Sequence, residues 1–225
     1  MRLLLLTMVC CVLGVSIAAG APQPQFTRST VYLPMMTSQT DMRIQGDRSY
    51  VEGNTLYVVG EIVNSGESGR SVSIVATFYS DNGYPIAIRE APPYLAEVMP
   101  EQANPFKIGL EYPLPNITNY ELTFQEETVP LCQVAPLEVV SEQMVLDETI
   151  IVSGEVANTI GVRMQSVDLA VTFYDEAGNV LHVAGRKMGS LSFASDTTLQ
   201  YTIQTALSEQ DFASFKVRAQ GCYVW

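Results

Sequence analysis

The chain has 225 residues, of which 47% are hydrophobic and 16% charged, with 24 acidic side chains against 12 basic ones and a net charge of −12. That apolar fraction excludes a wholly disordered protein, and ordinary Gly and Pro usage excludes collagen-like or low-complexity sequence. The charge sign excludes a phosphate-backbone partner: Lys and Arg occur singly apart from Arg186-Lys187, so nucleic acid and anionic lipid both lack a cationic footprint.

Met1-Arg2 precedes an apolar stretch, Leu3 to Ala19, that ends in the small residues Ala18-Ala19-Gly20-Ala21. A positive charge, an apolar run and small residues form the three-part pattern of a secretory signal peptide, so residues 1–20 are expected to be removed before Ala21. The alternative is an uncleaved anchor of nearly spanning length. Cys10 and Cys11 lie too early in the run for a lipid-modified cysteine, and no later segment is apolar enough to insert in a membrane. Residues 21–40, with Pro22-Gln23-Pro24-Gln25 and Thr37-Ser38-Gln39-Thr40, read as a linker segment holding one short apolar run, Val31-Tyr32-Leu33.

The remainder is one pattern written twice. Val59-Gly60-Glu61-Ile62-Val63-Asn64 matches Ser153-Gly154-Glu155-Val156-Ala157-Asn158 at an offset of 94, and Ala76-Thr77-Phe78-Tyr79 matches Val171-Thr172-Phe173-Tyr174 at 95. A period of that size is a folding unit, not a solenoid repeat. In both copies apolar residues alternate: Leu56, Val58, Gly60, Ile62 with Ile150, Val152, Gly154, Val156, then Val72, Ile74, Ala76, Phe78 with Val167, Leu169, Val171, Phe173. Period two marks strands with one buried face. Asp81-Asn82-Gly83 and Glu176-Ala177-Gly178 then turn the chain. Only Leu207 to Phe212 suggests a helical turn. The fold class is therefore all-β, with two β-sandwiches in tandem: 41–125, a Pro-containing joint over 126–136, and 137–225.

The Gly-Glu-x-x-Asn opening, the aliphatic alternation into Thr-Phe-Tyr and the later step into Phe106-x-Ile108 or Tyr201-x-Ile203 resemble FxLYD domains. These are small immunoglobulin-like sandwiches of exported prokaryotic proteins, often in tandem. The chain departs from the motif at Ala76 and Val171, where its first aromatic stands, at Phe78 and Phe173, where its Leu stands, and at Ser80, where its Asp stands. The resemblance implies architecture and an extracytoplasmic, secreted or cell-surface location, and no enzymatic activity.

Cys132 and Cys222 are the two cysteines outside the leader. In an exported chain an even pair most simply forms a disulfide; free thiols, or a zinc site with His182 and a carboxylate, are the alternatives. His182 is the only imidazole, in the run Val180-Leu181-His182-Val183. A Ser-His-Asp site would need Asp168 or Asp175 behind it and Ser190 or Ser192 before it, and no nucleophile-elbow pattern is present. Copy one has Ala87 at the matching place, so His182 is expected as a solvent-facing or hydrogen-bonded structural residue, at an exposed or half-exposed strand position. Glu126, Glu127, Asp147 and Glu148 flank the joint, where hard oxygen ligands would suit calcium, but without calcium-loop spacing. Met35, Met36 and Met42 lack the His or Cys that would make a copper site. Tyr79 and Tyr174 occupy equivalent places and are expected to cover a sandwich edge. Asn116-Ile117-Thr118 has the form of an N-glycosylation acceptor. The reading is a non-enzymatic exported binding or assembly protein without cofactor, contacting a protein or cell surface or serving an envelope complex. The alternative is a secreted enzyme or metal-binding protein whose site is assembled from distant residues.

Overall fold

The computed structural model describes residues 41–111, 116–127, 132–147, 149–189, 192–205 and 212–224. Residues 1–20, expected as a leader, residues 21–40 with Met35 and Met36, most of the segment read as a helical turn, Glu148 and Ser190 lie outside them. The described residues hold twelve strands and no helix. In the first repeat these are β1 (Met42–Glu52), β2 (Thr55–Asn64), β3 (Val72–Ser80), β4 (Pro85–Ala91), β5 (Ala103–Glu111) and β6 (Ile117–Glu126). In the second they are β7 (Gln133–Leu146), β8 (Ile150–Asn158), β9 (Ser166–Tyr174), β10 (Val180–Met188), β11 (Thr197–Thr205) and β12 (Ser214–Tyr223). β7 thus begins inside the segment read as the joint.

The first repeat forms two three-stranded antiparallel sheets, β1-β2-β5 and β4-β3-β6. The second repeats that pairing as β7-β8-β11 and β10-β9-β12, with one addition. The start of β7 also pairs with β12, from Gln133↔Tyr223 to Leu137↔Ala219, and from Glu138 onward the strand pairs with β8, through a bulge near Val140. One strand therefore belongs to both sheets and closes that side of the second sandwich. The Cys132–Cys222 disulfide, with Cα atoms 5.7 Å apart, lies at the same seam.

The alternating residues form the cores. Leu56, Val58 and Ile62 meet Ile74, Ala76 and Phe78 in one cluster, and Val152 and Val156 meet Leu169, Val171 and Phe173 in the other. The repeated motif has a physical reason at each position. Gly60 lies under the bulge of β1, where a Cβ would press on Asp47 and Phe106; Gly154 lies just beside the bulge of β7, where a Cβ would overlap the Ser141 carbonyl. Only glycine allows so close an approach. Asn64 and Asn158 are buried loop clamps. Asn64 Nδ2 donates to the carbonyls of Ser68 and Val98, while its Oδ1 accepts from Gly66 N–H. Asn158 does the same with Val162, Phe193 and Ile160.

Candidate functional site

The two repeats are not beads on a string. β10 lies across β1, β2 and β5, so the outer face of β1-β2-β5 packs against the outer face of β10-β9-β12. Val59 of the first repeat and Val180 and Val183 of the second form a third buried cluster, with Tyr50, Tyr94 and Tyr174 packed around it. Val59 projects from the opposite side of β2 to its core residues Val58 and Ile62. The middle of β2 is buried on both faces, as is the first half of β10, Val180 to Val183.

Beside this cluster lies a buried ion pair. Arg218 Nη1 is 3.0 Å from Glu61 Oε1, with the two side chains 13% and 6% exposed. Tyr174 donates its hydroxyl to the same Glu61 oxygen at 2.6 Å, and Arg218 also donates to Tyr174 Oη at 3.1 Å and to Thr172 Oγ1 at 3.3 Å. Burial raises the Tyr174 pKa, against the lowering effect of the Arg218 charge. A second anchor is Gln220, whose Nε2 donates to the Glu97 carbonyl at 2.7 Å while its Oε1 accepts from Glu97 N–H at 3.1 Å. That amide closes on the backbone as a neighbouring strand would. Asn104 holds the same segment from behind through Leu95 and Glu97. Tyr94 lies on Gly185, where any Cβ would overlap its ring.

His182 completes the junction. It is 5% exposed, and its register opposite Phe173 puts it on the core side of β10. Nδ1 is 3.0 Å from Tyr50 Oη in the first repeat, and Nε2 is 2.6 Å from Thr205 Oγ1 in β11. A neutral ring has one donor and one acceptor nitrogen, which two hydroxyls satisfy. Burial lowers its pKa from 6.5 to about 4, with the nearby Lys107 charge adding to the effect. Lys107 itself stands 4.0 Å over the Tyr57 ring, and burial lowers its pKa as well. The ring is hydrogen-bonded, one of the two expected structural roles, but it is not at the expected exposed or half-exposed position: it is buried because the first repeat covers the edge of the second sandwich.

The other sequence candidates are not brought to it. Asp168 pairs with Lys187 at 3.9 Å, and Asp175 accepts from the Asn179 backbone and side chain at its own turn. Ser192 is exposed. Glu126 pairs with Arg70 at 2.8 Å, and among the described residues no three His, Cys, Asp or Glu side chains gather as a metal site. Met42 is a core residue. Asn116 is exposed just ahead of β6. The tyrosines expected to share an edge role do not: Tyr79 donates to Glu121 of the adjacent strand at 2.9 Å, whereas Tyr174 serves the junction.

Sequence reasoning passed over Glu61, Gln220 and Arg218. The one signal for them is the run Val180 to Val183, apolar without alternation, as in a strand buried on both faces. Pro85-Ile86-Ala87-Ile88 reads the same way, yet Ile88 is 60% exposed. The junction leaves a polar cleft of about 500 Å³ along the ion pair, lined by Gln45, Glu61, Gln102, Lys216 and Arg218 among others.

No family model matches the chain, and no curated protein is similar to it. Among solved structures, a β-glucuronidase from glycoside hydrolase family 2 is similar over 67% of this chain, at 15% identity and a TM-score of 0.20. The matched region spans 20% of that enzyme's chain. A likeness at that score bears on neither fold nor activity.

Proposed function

We propose that the chain is an exported, non-enzymatic binding or assembly protein. It is built as a tandem of FxLYD-type immunoglobulin-like domains and contacts a protein or cell surface, as an accessory subunit of an envelope complex does. One observation carries this reading. The sole imidazole, the residue best suited to proton transfer near neutrality, has both nitrogens engaged by Tyr50 and Thr205 inside the repeat junction. Its lowered pKa and burial favour a ring that holds two sandwiches together. The Cys132–Cys222 bridge supports an oxidising compartment, and exposed Asn116 is accessible to glycosylation if the host performs it.

The test has two arms. In the host that makes it, in-cell cross-linking through exposed lysines such as Lys187 should join the chain to a defined protein or wall component, and its mature form should begin at Ala21. The purified protein should turn over no ester, glycoside or peptide substrate. Measurable turnover that drops about 10²-fold or more in His182→Gln, assayed at a temperature where that variant is still folded, would show that the class is wrong.

A further inference from the structure

Register gives each side chain of the junction an equivalent in the other repeat. Gly60 and Glu61 face Phe106 and Pro105, as Gly154 and Glu155 face Tyr201 and Gln200. Tyr50 faces Tyr57, as Val145 faces Ile151. Glu155 therefore stands in β7-β8-β11 where Glu61 stands in β1-β2-β5. The two environments are opposite. Glu61 is buried and receives Arg218 and Tyr174 from the docked sandwich. Glu155 is half-exposed, accepts one long bond from Gln200 at 3.5 Å and meets no cation among the described residues. Beside it lies a shallow hollow of about 390 Å³, and further along the same face exposed Val145 stands opposite Ile151.

We propose that the outer face of β7-β8-β11 docks a further β-sandwich, belonging to another protein, which presents an arginine beside a tyrosine on the outer face of a sheet. Glu155 receives that guanidinium as Glu61 receives Arg218. The inference rests on the reading of this chain as a binding protein and names the face and the partner's chemistry. A second copy of the chain is the poorer occupant. The equivalent face it would offer is that of β4-β3-β6, where Tyr79 and Gln125 correspond to Tyr174 and Gln220 but Thr123 stands for Arg218 and Glu121 for Lys216. The cation is missing and a carboxylate replaces a lysine, so like charges would meet at Glu155, within a chain of net charge −12.

The missing chemistry can be supplied within the full chain. The wild-type protein should sediment as a monomer. Thr123→Arg with Glu121→Lys, both at solvent-accessible strand positions, gives the second copy the arginine and frees the Tyr79 hydroxyl. This variant should associate head to tail, since the two faces differ and the contact is heterologous. Adding Glu155→Gln should weaken association by about tenfold or more, and high salt should do the same. Thr123→Arg alone, which leaves the Tyr79–Glu121 bond in place, should associate more weakly but with the same dependence on Glu155. A grafted chain that stays monomeric, association indifferent to Glu155→Gln, or self-association of the wild type would each overturn the proposal. None of these results alters the in-cell cross-links, whose absence would instead count against the binding reading itself.

Discussion

The two repeats share an inside and differ outside. Phe78 and Phe173, Phe106 and Tyr201, and Asn64 and Asn158 are buried in matching places. The outer faces have diverged according to their neighbours. In β9 the outward residues Ala170 and Thr172 are small and wholly buried under the first repeat. At the place of buried His182, β4 carries Ala87, which is only partly buried. A strand's core face answers to its own sandwich, whereas its outer face answers to whatever covers it. The repeats also close differently. β7 spans both sheets and is tied to β12 by a disulfide, and the first repeat has neither feature among the described residues.

That staple gives the largest expected asymmetry. The bridge joins residues separated by 90 positions, a loop whose closure is worth about 4–5 kcal/mol in the chain-entropy model. Replacing Cys132 and Cys222 by serine should lower the unfolding midpoint strongly. Hydrogen exchange should quicken first in β7 and β12, while β2 and β5 keep their protection. Equal loss of protection in both repeats, or an unchanged midpoint, would remove the distinction.

The next contrast is between two glutamates in one register. Arg218→Ala leaves the Glu61 carboxylate buried without its cation, a change that costs about 3–5 kcal/mol in comparable settings. Replacing both partners together, Glu61→Leu with Arg218→Met, should restore most of that loss, because the desolvation cost disappears with the charges. Glu155→Ala, at the same place in the second sandwich, should change stability by no more than about 0.5 kcal/mol. Denaturant titrations of the variants decide it. Similar costs at Glu61 and Glu155 would mean that the junction is not what distinguishes them.

The cores were legible in the sequence because alternation is local. Leu56, Val58 and Ile62 announce their face without reference to anything else in the chain, and the offset copies fix the register of both sandwiches. The disulfide was legible as a pairing, since Cys132 and Cys222 are the only cysteines beyond the N-terminal apolar run. The junction was not. Glu61 and Glu155 occupy identical motif contexts, and which one is buried depends on where the joint places the second repeat. Nothing in Gly-Glu-x-x-Asn encodes that. The burial of His182 was not legible for the same reason: its strand neighbours resemble those of Ala87, and the cover comes from Tyr50, 132 positions away.

The smallest predicted contrast is also the one that separates His182 from the carboxylates. Folding lowers its pKa from 6.5 to about 4, so between those values the unfolded chain holds a proton that the folded chain does not. Its contribution is complete above about pH 6.5, declines as pH falls, and is lost by about pH 4. At about 1.4 kcal/mol per unit, the whole span is on the order of 3 kcal/mol. Glu97 and Asp168 act in the opposite sense, because burial raises their carboxyl pKa values and acid therefore favours their folded environment. The raw stability profile mixes these contributions; the difference between wild type and His182→Gln isolates the ring. That variant starts less stable at neutral pH, having lost the fitted bonds to Tyr50 and Thr205, but carries nothing that titrates at this position. The two curves should converge toward pH 4. Parallel curves across the range would mean that His182 keeps an ordinary pKa, and that the first repeat does not seal it from water.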